Sequence, residues 1–193
     1  EKHLDRVPYP LPRVVVQRPS AGYCHPASKR DIIEVLRFFD EEYIYGLHCV
    51  VLARASVGPG SGRLIFGRLL VPGTIILYEQ PRTPWVLPGS LAEKEVEKLT
   101  HAGAAIEQVS RGLQMVVHWP GAALRDFMLF DVLMHEVAHH TLQQYTGKRP
   151  ARIARTADHE AYADRFASRC RTRYEQYRHF TERQSYQDQE AQH

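Results

Sequence analysis

The segment His135-Glu136-Val137-Ala138-His139 brings two imidazoles and a carboxylate together at a spacing that suits hydrolysis by a metal-held water. Residues four apart share one face of a helix, so His135 and His139 can turn toward a single ion. Glu136 lies about 100° round the helix from His135, too far to be an easy third ligand. It can still reach a water on the metal and accept its proton. Two histidines do not hold a catalytic zinc alone, so a third protein ligand must come from another element and leave the fourth position open.

Asp158-His159-Glu160-Ala161-Tyr162-Ala163-Asp164 offers that ligand. Glu160 shares a helical face with Ala163, Asp164 and Ala167, and the small residues there allow close approach to the first helix. His159 is the competing third ligand, but it lies roughly 100° from that face. Asp164, one turn beyond Glu160, can accept a hydrogen bond from the ring nitrogen of a ligand histidine that faces away from the metal. A solvated helix face is the plain alternative for a lone H-E-x-x-H. Here the motif follows Phe127-Met128-Leu129-Phe130-Asp131-Val132-Leu133-Met134, so the histidines enter the interior, where unpaired imidazoles are costly. His140 points away from the ligand face and is read as structural.

In these residues the chain resembles the gluzincin metallopeptidases, and more closely small soluble members of the ImmA/IrrE type and minimal single-domain gluzincins. The likeness runs over Leu124-Arg125-Asp126, Met134 to His140, and Glu160 to Ala167; upstream of Leu124 it is limited to the strand pattern. It implies a zinc-dependent peptidase with Zn2+ held by His135, His139 and Glu160, Glu136 as general base, and a protein or peptide substrate. It also implies an edge strand above the zinc helix that receives the substrate as an added strand. Thr74 to Glu79 and Leu113 to His118 are the two candidates, with the first preferred because it adjoins the loop carrying Trp85. Tyr145, Tyr162, His118 and Arg125 are candidate donors to the oxyanion.

Composition sets the frame. With 193 residues and 44% hydrophobic content, one ordinary domain can bury its core without staples. Cys24, Cys49 and Cys170 are odd in number and widely spaced, so neither a disulfide framework nor a cysteine zinc cluster is indicated, and a reducing, cytoplasmic setting is expected. No apolar run approaches the roughly 20 residues that span a bilayer, and no signal-peptide pattern opens the chain at Glu1. The H-x-E and P-C-x-x-C signature of zinc deaminases is absent.

The net charge is only +3, but Lys148, Arg149, Arg152, Arg155, Arg165, Arg169, Arg171, Arg173 and Arg178 gather in the last quarter. They support a second reading, a zinc-stabilised, non-catalytic module that contacts nucleic acid or an acidic, DNA-associated regulator. A binder has no need of Glu136, whereas a hydrolase does.

The elements that must position these groups read as α+β: a small mixed or antiparallel sheet packed on the H-E-x-x-H helix and a following ligand-bearing helix, as in zincins. Residues 1–27 read as a Pro-rich arm, 28–183 as a single domain, and 184–193 as a disordered tail. Within the domain, a helix is expected from Ser28 to about Tyr43, and strands over His48–Ala55, Arg63–Val71 and Thr74–Glu79. The Gly-rich run Gly58–Gly62 is expected to join the first two strands as a hairpin. A helix from a Ser90/Glu93 capping box to about Ser110, a strand over Leu113–His118, the zinc helix over Ala122–Tyr145 and a long helix from about Thr156 follow. Cys24-His25, next to the arm, could block the open metal position.

Overall fold

The computed structural model describes residues 10–55, 64–109, 114–146 and 156–190, with backbone alone at 145–146, 183 and 185–190. Its fold is α+β, as the sequence implies. Three strands run parallel: β1 (Arg13–Val16), then β3 (Cys49–Ala53) and β5 (Thr74–Tyr78), with β2 (Tyr23–Cys24), α1 (Lys29–Phe38) and α2 (Glu41–Ile44) in the first crossover. β4 (Gly67–Leu70) adds antiparallel to β5, which gives the order β1-β3-β5-β4. The short β6 (Gln80–Pro81) pairs with β2. β7 (Trp85–Pro88), α3 (Glu93–His101), β8 (Ala105–Val109) and β9 (Gln114–His118) form an antiparallel sheet of order β7-β9-β8 with its helix. The chain then turns helical: α4 (Ala123–Asp126), a π-helical segment (Phe127–Met134), α5 (His135–Thr146) and α6 (Ala157–Glu190).

One face of the four-stranded sheet carries Val50, Leu52, Ile75 and Leu77, all buried, and packs with Ile32, Val35 and Leu36 of α1 and with the π segment. Ser28 caps α1 through Asp31, as its capping box requires: the Asp31 N–H donates to Ser28 Oγ at 3.2 Å and the Ser28 N–H to Asp31 Oδ2 at 2.7 Å. The helix stops at Phe38 rather than Tyr43, because Phe39 turns extended and buries its ring.

The expected hairpin between the first two long strands does not form. β5 lies between β3 and β4, although the Gly58–Gly62 run itself falls outside the described residues. The reason is apolarity: Thr74-Ile75-Ile76-Leu77-Tyr78 takes the covered central place, and Gly67-Arg68-Leu69-Leu70, with its charge and its glycine, takes the edge. The hairpin is instead β4–β5, turned by Val71-Pro72-Gly73. Gly73 adopts φ +66°, and a Cβ there would meet the carbonyl oxygen of Gly46.

The helix expected to reach Ser110 ends at His101, and 105–109 is strand. Gly103, at φ +95°, closes it with its N–H on Thr100 O at 2.9 Å and the Ala104 N–H on Leu99 O at 3.0 Å, a Schellman pair that ends a helix. Its N-terminus is also displaced: Ala92, not Ser90, is the cap, and its N–H donates to Glu95 Oε2 at 3.1 Å. At the other end of the chain, α6 continues to Glu190 through residues that composition reads as tail. The tyrosine hydroxyl of Tyr174 donates to Glu34 at 3.0 Å, and its ring meets those of Phe38 and Phe130, which fastens α6 to α1 and to the π segment. No helix among the described residues is long and apolar enough to cross a membrane.

Gly67 decides how closely the edge strand approaches the helical layer. A Cβ there would lie 2.7 Å from Val132 Cγ1 of the π segment and 2.9 Å from the Ile76 carbonyl oxygen. The second neighbour is backbone and cannot step aside. Gly67→Ala is therefore expected to lower stability by roughly 1–3 kcal/mol, read from the denaturant midpoint; an unchanged midpoint would show that β4 is not seated against Val132.

Candidate metal centre

The π-helical segment is the element from which the centre is built. Seven of its residues are buried, and Asp131, the exception in its sequence, reaches out to pair with Arg171 of α6. Burial pushes the Asp131 carboxyl up, against the pull of Arg171 and Lys98, so the ion pair joins the helix before the motif to the helix that carries the third candidate ligand. A helix with i→i+5 bonding is rare and is frequently found at functional sites. α5 begins at its end with His135 itself.

His135, His139 and Glu160 converge. His135 Nε2 lies 3.1 Å from His139 Nε2 and 3.2 Å from Glu160 Oε2, and His139 Nε2 lies 3.5 Å from Glu160 Oε1. Donors about 2.0–2.1 Å from a tetrahedral zinc stand about 3.4 Å apart, and each pairwise contact is near that spacing, with Glu160 turning one oxygen toward each histidine. Two histidine nitrogens and one carboxylate oxygen are also a donor set that zinc accepts. The two helices can come this close because Ala138, Ala163 and Ala167 are small and buried.

Three lone-pair donors at these distances repel unless a proton or a cation lies among them. Burial first, then the neighbouring His139 and Lys98, push the His135 imidazole below its ordinary range, while Asp164 and Glu160 pull the other way. A ring that resists a proton is one ready to give its lone pair to a metal. The two histidines are buried but the Glu160 side chain is 40% exposed, so the centre opens to solvent on the α6 side.

Asp164 stands where the spacing puts it, with Oδ1 3.0 Å from His135 Nδ1, although the contact is angled off the ring N–H direction. The rest of the motif separates as follows. Glu136 is buried on α5 and its Oε2 accepts from the Leu69 N–H of β4 at 2.8 Å. His140, fully buried, contacts the Tyr45 carbonyl oxygen through Nε2 at 2.8 Å, which fits a structural role. His159 stays outside the triad, and its N–H donates to Thr156 Oγ1 at the start of α6 at 3.3 Å.

Several sequence-based expectations need correction here. Neither Thr74–Tyr78 nor Gln114–His118 is an edge: β5 lies between β3 and β4, and β9 between β7 and β8. The edge strand against α5 is β4, whose mixed polarity was the available signal. Trp85 shapes no pocket, being buried beside Phe66 and Trp119. Cys24 and His25 are held away from the triad, Cys24 opposite Gln80 in the β2–β6 pair and His25 Nε2 2.9 Å from the Gln17 carbonyl. Of the oxyanion candidates, Arg125 is paired with Asp126, Tyr162 stacks on Phe166, His118 ends β9, and the Tyr145 side chain is outside the described residues. Two of the clustered arginines are engaged within the fold, Arg171 with Asp131 and Arg173 with Asp40, and 148–155 lie outside the described residues.

Compared with protein-family models, with curated proteins and with solved structures, the chain matches none.

The purified chain is expected to bind about one equivalent of Zn2+, and His139→Ala or Glu160→Ala should remove most of that binding, measured by metal analysis after dialysis. Asp164→Asn should keep the site but weaken it roughly 10–100-fold. Full zinc retention in Glu160→Ala would show that the third ligand is a different group.

Proposed function

We propose that the chain is a zinc-dependent peptidase, with His135, His139 and Glu160 as ligands and Glu136 as general base. The observation that carries this reading is the triad spacing of 3.1–3.5 Å with Glu136 on the same helix as two of the donors. A zinc ion bound there would act as a Lewis acid and lower the pKa of a water toward about 7.

The chain's own residues supply the remaining steps. Asp164 lies 3.0 Å from His135 Nδ1, where it would favour the ring orientation that turns Nε2 to the centre. Glu136 takes the proton of the attacking water and delivers it to the leaving amine. β4 presents the substrate: the Tyr78 N–H donates to Phe66 O, so Arg68 and Leu70 turn their main-chain groups toward β5, and Gly67 and Leu69 turn theirs outward. A peptide laid along this edge gains main-chain hydrogen bonds with little demand on its sequence. Its carbonyl takes over the Leu69 N–H, and that exchange frees Glu136 for the water.

Glu136→Gln keeps the size of the side chain but cannot accept a proton. With zinc content unchanged, its turnover of an unstructured protein such as labelled casein should fall roughly 10²–10⁴-fold. Turnover equal to that of the wild type, or a zinc-loaded wild type without turnover, would overturn the peptidase reading and leave the zinc-stabilised binding module in its place.

A further inference from the structure

The three parallel strands all point their carboxyl ends to one side of the sheet, and each is followed there by an arginine. Arg18 comes two residues after β1, Arg54 directly after β3, and Arg82 just after the short β6 that extends β5. With Pro19, Ser20, Ala21, Gly22 and Tyr23 they line an open concavity of about 640 Å³. No carboxylate lines it, and among the described residues no ion pair engages any of the three guanidinium groups.

The arrangement is held in place from below. Buried Glu79 accepts from the Ser20 N–H at 2.7 Å and from the Ala55 N–H at 3.3 Å, which ties the loop after β1 to the end of β3. Those two bonds commit its oxygens to the scaffold. Arg54 Nε donates to the Arg18 carbonyl at 2.8 Å, so this side chain is oriented while its two terminal nitrogens stay available. The Arg82 N–H donates to Gly22 O at 3.0 Å, and Gly22 turns the loop at φ +80°.

Three exposed like charges gathered on one wall make it locally positive and draw an anion to it. Guanidinium groups match tetrahedral oxyanions in geometry, because each can donate two parallel hydrogen bonds. The outside of the carboxyl ends of parallel strands is also where open sheets with helices place their ligands. The volume exceeds what a single phosphate fills and falls within the range of small-molecule sites, and Tyr23 adds an aromatic ring to the wall. The metal centre is elsewhere: Leu69, which bonds Glu136, pairs with Ile75 at the opposite end of β5.

We propose that this concavity is a second ligand site, which takes a phosphomonoester through Arg18, Arg54 and Arg82. Calorimetric titration of the full chain at low ionic strength, with inorganic phosphate and with adenosine monophosphate, tests it. Both probes should bind to the wild type and equally well to His139→Ala, which separates this site from any anion at the metal. An Arg54→Ala/Arg82→Ala double variant should weaken binding at least roughly tenfold, the loss of two charge-assisted contacts. Arg54→Lys/Arg82→Lys should fall between, since charge remains and the fork geometry does not. Equal affinity for the two probes would identify the phosphate group alone as the ligand, and tighter adenosine monophosphate that Tyr23→Ala weakens would add the organic portion. Absence of binding by both probes, or binding undiminished in the alanine double variant with its fold intact by circular dichroism, would overturn the proposal.

Discussion

Two imidazole nitrogens 3.1 Å apart, each within 3.5 Å of a different oxygen of the Glu160 carboxylate, are the constraint on which the rest of this structure depends. Such a cluster is unfavourable unless a proton or a cation lies among its lone pairs, because burial has made the region poor in water. Two helices must therefore be pressed together hard enough to hold it. α5 supplies the histidines as neighbours one turn apart, which costs little, but Glu160 arrives from a helix that begins more than twenty residues later in the chain. Its position rests on tertiary packing: the buried alanines on both helices, the Tyr174 contacts with α1 and the π segment, and the Asp131–Arg171 pair. The pair is half-buried, so its worth lies less in net stability than in fixing how α6 sits against the segment that leads into His135.

The sheet meets the same centre from the other side. Leu69 can donate to Glu136 only because β4 lies close over the helical layer, and β4 lies close because Gly67 has no side chain to collide with Val132 or Ile76. An edge strand normally leaves a row of unsatisfied amides as a liability. Here one of those amides is occupied by a buried carboxylate, which accepts its hydrogen bond. The edge amide of Leu69 and the Glu136 carboxylate thus meet in one hydrogen bond that ties the sheet to α5.

The amino-acid sequence made the candidate metal triad legible because its signal is local. The i, i+4 spacing of His135 and His139, and the i, i+4 spacing of Glu160 and Asp164, are fixed by helical geometry alone, and both pairs stand as that geometry requires. What could not be read depended on competition between segments. β5 displaced β4 from the side of β3 because it is the more apolar strand, and this moved the edge to a four-residue run whose only signal is its mixed polarity. Gly103 ended a helix whose apolar spacing alone would have continued it into Ile106. The π-helical segment has no sequence signature: Phe127 to Met134 is apolar except for Asp131, so its periodicity cannot distinguish i→i+4 from i→i+5 bonding.

The arginine-lined concavity was invisible for a related reason. Arg18, Arg54 and Arg82 are spaced 36 and 28 residues apart, and only the parallel register of β1, β3 and β5 places them on one rim. The two candidate sites are opposite in sign and in environment. The metal centre gathers electron pairs in a buried place, where charge is weakly screened and selection falls on the ion that fits the donors. The rim gathers positive charge in an exposed place, where salt screens it within about 10 Å and the forked geometry of guanidinium must supply what selectivity there is. The two sites lie toward opposite ends of β5, so an anion drawn to the rim is held apart from the histidine and carboxylate donors.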